Sequence, residues 1–137
     1  MVTEITRQLR SIADAAEFDR EADRLVARWI DDGVGCEAVD DVLAFMEEHP
    51  HIDFGSPGSV VHFIERFYGP SYKQSLLASL DRRPTQHTIW LLNRVLNSER
   101  EPEARREIVA RMDQVADDLS IEAVVRNLAR RFADRER

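Results

Sequence analysis

His62 and Glu65 stand three residues apart, a spacing that puts an imidazole and a carboxylate on one face of a helix, where they could exchange a proton. A small hydrolase or lyase built on these two is one reading of the chain, and its support ends there. The other histidines, His49 and His51 around Pro50 and His87 further on, show none of the tight HExxH or CxxC pairing by which zinc is held. His62-x-x-Glu65 is half of a di-iron carboxylate pattern, and the sequence lacks the other half. No GxSxG elbow occurs, and Gly55-Ser56-Pro57-Gly58 lacks the lysine and the preceding strand of a phosphate cradle. Asp40-Asp41 and Asp117-Asp118 are adjacent pairs whose side chains diverge by about 100° on a helix, so they read as solvated faces. Cys36, the single cysteine, sits in a GVGCE turn as a small structural residue. No catalytic set, metal or cofactor is expected.

Recognition chemistry is better provided for. His87, Trp90, Arg94 and Asn97 form a helical stripe separate from the apolar stripe of Ile89, Leu92 and Leu96. His62 and Arg66 form another, with Glu65 and Ser59 beside them. Ahead of these runs a glycine- and proline-punctuated loop, HIDFGSP, at residues 51–57. Tryptophan and arginine anchor interfaces most often, because they bring contact area and directional donors together. The residues expected to bind a partner are Asp53, Phe54, His62, Glu65, Arg66, Trp90, Asn93 and Arg94. Two other readings stay open: the loop is purely structural, with Phe54 in the core, or Trp90 is core and Arg94 pairs with Glu65 across the helices.

The elements that must position these residues are all helical. Apolar residues recur at i, i+3, i+4 and i+7 in every long segment, and strand alternation is nowhere sustained. Val2, Ile5, Leu9 and Ile12 mark a first helix; Phe18, Ala22, Leu25 and Trp29 a second, stopped at Asp31-Asp32-Gly33. Val39, Val42, Leu43 and Met46 give a third, closed by Pro50. Val60, Phe63, Ile64 and Phe67 give a fourth, with Ser56 as its N-cap and Pro57 in its first turn. Tyr72, Leu76, Leu77 and Leu80 mark a fifth. A sixth, capped by Thr85, follows, then a seventh along Ile108, Met112, Val115 and Leu119. The eighth is expected to be capped by Ser120 and to run through Ile121, Val124, Val125, Leu128 and Phe132.

These helices also repeat. VLAFMEEHP at 42–50 aligns with LLASLDRRP at 76–84, an offset of 34, and IVARM at 108–112 follows after a further 32. One helix pair per such period is the signature of an α-solenoid, in which each pair buries its apolar face on its neighbours. The expectation is an all-α, HEAT/ARM-like stack of about eight helices in one domain, residues 1–137, with capping helices at 1–34 and three antiparallel pairs over 37–135. Second helices would line the concave side, bringing the two stripes together beneath the loop.

Composition sets the bounds of function. With 137 residues, 43% apolar and 33% charged, the chain can bury one core. No apolar run approaches a membrane span, the first residues lack a secretory core, and a lone cysteine makes no internal disulfide, so a cytoplasmic location is expected. Residues 1–50 carry 13 acids against 5 arginines, whereas residues 51–137 carry 13 acids against 14 bases. An acidic first half argues against nucleic acid and towards a basic partner or plain solubility.

The stretch DFGSPGSVVHFIERFY, followed by RRPTQHTIWLLNRVLN, resembles a bacterial helical-repeat family of immunity proteins from polymorphic toxin systems. The shared pattern is an aspartate-phenylalanine-glycine-x-proline-glycine loop at Asp53–Gly58, a Val-His-Phe helix at 61–63, and a proline-threonine helix from Pro84 to Arg94. It covers roughly residues 40–100, with Ser59 departing where a proline or small residue is expected. The resemblance implies a HEAT-like fold and neutralisation of a cognate toxin by direct binding, and the charge balance favours a basic toxin domain. A helical-repeat adaptor unrelated to toxins is the alternative.

Overall fold

A computed structural model of the chain describes residues 3–137. Val2, assigned above to the first apolar stripe, lies outside the described residues. Eight helices are found there and no strand: α1 (Glu4–Ile12), α2 (Phe18–Asp31), α3 (Glu37–Glu48), α4 (Ser59–Glu65), α5 (Pro70–Arg82), α6 (Gln86–Ser98), α7 (Pro102–Asp117) and α8 (Ala123–Asp134). None of these is long and apolar enough to cross a membrane. The chain divides into two compact units, Met1–Ser75 and Leu76–Arg137, the division falling within α5.

In the first unit α1 packs on α2 and α3, and α4 packs on α2 and α3. The apolar stripes supply the reason: Leu9, Trp29, Leu43, Phe45, Met46, Phe63 and Ile64 are withdrawn from water almost completely. Each such side chain contributes about 1.5–3 kcal/mol. Trp29 meets Phe63 with ring centroids 5.3 Å apart, and its Nε1–H donates to Gln8 Oε1 at 2.7 Å, satisfying the one polar atom of the indole. Thr3 caps α1 by accepting from the Thr6 amide. Arg10 ties α1 to the end of α3 through Glu48 at 2.8 Å.

In the second unit α6 packs on α7 and α8, and α7 on α8, around Ile89, Leu92, Leu96, Ile108, Met112, Leu128 and Phe132. Thr85 caps α6 in a reciprocal box: the Thr88 amide donates to the Thr85 hydroxyl at 3.2 Å, and the Thr85 amide to the Thr88 hydroxyl at 3.0 Å. Arg105 satisfies the far end of the same helix, donating to the carbonyls of Leu96 and Glu99, each at 2.7 Å, and to Glu136 at 2.7 Å. Arg111 reaches the Leu77 carbonyl and Asp81.

Local expectations for three helices are corrected. Ser56 does not cap α4 and Pro57 is outside it: Gly58 holds the cap position with φ +89°, the Ser56-Pro57 peptide is cis, and the helix ends at Glu65, before Phe67. Ser120 does not cap α8, because its amide and hydroxyl both donate to Asp118, and the helix begins at Ala123. Leu119, assigned to the seventh stripe, lies beyond α7 and is 83% exposed.

Candidate functional site

The connection between α3 and α4 is ordered by its own backbone demands. The Asp53 carboxylate accepts from the Gly55 amide at 2.8 Å, and Gly55 and Gly58 both adopt positive φ. A Cβ on Gly58 would overlap the Phe54 carbonyl oxygen. The loop closes on the first unit through Phe54, whose ring meets Phe18 and Phe45 edge-on at 5.4 and 5.9 Å. At 6% exposure Phe54 is core, and a partner does not reach it. Asp53, in contrast, is exposed, and lines a cleft of about 710 Å³ with Asp19, Asp23, Ile52 and the ion pair of Glu17 with Arg20 at 3.1 Å.

A second cleft of the same unit, about 530 Å³, opens between α1, the turn after α2 and the start of α3. Glu4, Asp32, Glu37, Asp40 and Asp41 surround it, with Trp29 among the lining residues. Glu4 is partly neutralised by Arg7 at 2.7 Å. Hydrogen bonds from its own amide and from the Gly35 amide hold the Glu37 carboxyl below the usual glutamate range. It therefore carries its charge throughout the neutral range. Spacing alone did not expose this cleft, because three separate segments build it; the excess of acids in residues 1–50 was its one trace in the sequence.

His62 and Glu65 remain on one face of α4, with His62 Nδ1 and Glu65 Oε1 3.7 Å apart. That exceeds hydrogen-bond distance, the His62 side chain is largely in solvent, and neither residue lines either cleft. Arg66 lies over the Phe63 ring, its guanidinium carbon 5.4 Å from the centroid. Among the described residues, no three His, Cys, Asp or Glu side chains converge as a metal site. His62 and Arg66 are thus exposed on the first unit, with the largely covered Glu65 beside them.

The remaining predicted residues belong to the second unit, all on α6. Trp90 is 51% exposed and meets Phe132 of α8 edge-on at 4.8 Å. Arg94, one turn further on, is half-buried. Asn93 is only 7% exposed, so its expected role at a surface does not hold. The reason is the breadth of the covered arc of α6: Ile89, Leu91, Leu92, Val95 and Leu96 are all buried, and Asn93 falls among them. Comparison of the chain with protein-family models, with curated proteins and with solved structures finds no match.

Proposed function

We propose that this chain is a non-catalytic protein-binding module, a short HEAT-like α-solenoid of antiparallel helix pairs that neutralises a basic bacterial toxin by direct binding. The observation that carries it is the concentration of carboxylates around the two clefts of the first unit, with Asp32, Asp40 and Asp41 on one and Asp19, Asp23 and Asp53 on the other. Such a surface attracts a cationic partner from a distance, raising the association rate and making it sensitive to salt. The repeat reading is supported by packing within each unit, where helices meet their second neighbours: α1 with α3, α2 with α4, and α6 with α8. Asp53, His62 and Arg66 on the first unit and Trp90 on the second are its exposed contact residues, with Glu65 and Arg94, both partly covered, beside them.

Co-expression with the toxin encoded beside it tests the proposal. Restored growth, lost when Asp32, Asp40 and Asp41 are together changed to lysine in a variant that still folds, is the expected result; failure of the natural protein to restore growth rejects it. A helical-repeat adaptor is the second reading, favoured by the same exposed residues if affinity capture returns a housekeeping complex and no toxin gene lies nearby. A hydrolase using His62 and Glu65 has the least support, given their separation and the exposure of His62.

A further inference from the structure

Four arginines of the second unit are held by its own carboxylates: Arg105 by Glu136, Arg111 by Asp81, Arg130 by Asp113 and Asp117, and Arg137 by Asp113 and Asp134. Among the described residues Arg131 and Arg135, like Arg100 and Arg106, have no such partner. Arg131 lies in the last turn of α8 and Arg135 directly follows the helix; both are exposed, and among the described residues neither meets a carboxylate. Arg135 instead lies over the Phe132 ring, its guanidinium carbon 5.4 Å from the centroid. The same ring is met by Trp90, the largest side chain left half in water. An indole and a guanidinium with no countercharge therefore share one aromatic neighbour, and a second such guanidinium stands a turn away.

We propose that Trp90, Arg131 and Arg135 form a docking surface for an acidic segment of a partner protein, one whose apolar side chain is flanked by carboxylates. The apolar group would cover the indole and remove its exposed face from water. The carboxylates would take the two guanidiniums, whose planar forks accept them in bidentate fashion. Stacking on Phe132 already restrains Arg135, so less side-chain freedom is lost on binding. Nucleic acid fits less well. Two arginines displace few counterions, and the chain as a whole has a net charge of −7, which repels a continuous polyanion. This surface shares no residue with the acidic clefts and does not depend on the partner being a toxin.

The two tryptophans make the test direct. The full chain, labelled with 15N, gives two indole signals, and Trp90→Phe assigns them. A peptide carrying Glu-Glu-Leu-Glu-Glu is titrated in, beside its glutamine analogue and a single-stranded oligothymidylate. The expected result is a saturable shift of the Trp90 indole with the acidic peptide alone, the buried Trp29 signal staying in place. In the double variant Arg131→Glu, Arg135→Glu, once circular dichroism shows that it keeps the helical fold, binding weakens by about tenfold or more. No saturable shift of Trp90, an equal response to the glutamine analogue, tighter binding of the oligothymidylate, or an undiminished response in the double variant would each overturn the proposal.

Discussion

The Phe54 ring meets the Phe18 ring edge-on, with centroids 5.4 Å apart and planes at 87°, so the loop before α4 is fastened to the first residue of α2. The Asp53 side chain is thereby held at the rim of its cleft by the buried ring next to it in the chain. Replacing Phe54 with alanine empties a site filled on two sides by aromatic rings. Urea denaturation is expected to show a loss of about 3–5 kcal/mol, whereas Asp53→Ala, which loses the exposed bond from the Gly55 amide, costs about 1 kcal/mol.

Two glycines with positive φ separate conformational strain from steric overlap. Gly33 has φ +70° and open space where a methyl group would go, while Gly58 has φ +89° and the Phe54 carbonyl in the way. Gly33→Ala is expected to cost about 1 kcal/mol, and Gly58→Ala more than about 2 kcal/mol, because the peptide must also move. Chemical denaturation of the two variants side by side measures the difference.

Thr85 carries the cap of α6 from a buried position. Thr85→Ala removes the acceptor of the Thr88 amide and is expected to cost about 1–2 kcal/mol. Thr85→Ser, which keeps the oxygen, is expected to retain most of that stability in thermal melts.

Much of this was legible in the sequence, and the exceptions have identifiable causes. Thr85 was readable because its partner lies three residues away, inside the window that sets a cap. Ser56 and Ser120 looked equivalent to it, yet a glycine two residues on took the first cap position and Asp118 captured the second serine. Asn93 was misassigned because periodicity gives the centre of a buried face and not its width. The acidic cleft at Trp29 was out of reach for another reason: its carboxylates come from α1, the turn after α2 and α3, and proximity between them is a property of packing.

Acid stability should depend on Asp113. A hydrogen bond from Arg137, reinforced by the charges of Arg137 and Arg130, holds its carboxyl below the ordinary aspartate range. The unfolded chain therefore takes up this proton at higher pH than the folded one. The stabilisation is complete above the ordinary aspartate range and is lost as pH falls through the lowered value. In thermal melts, Asp113→Asn is expected to lie below the natural protein at neutral pH, with the gap closing towards strong acid.

Arg105 links places far apart in the chain. One guanidinium satisfies the last carbonyls of α6 and reaches Glu136, just past the end of α8. Loosening of the turn after α8 therefore removes one anchor of a guanidinium whose other nitrogen serves the end of a helix more than thirty residues earlier. Damage at residue 136 would reach α6 through a single side chain, so the turn after α8 acts as a latch for both helices.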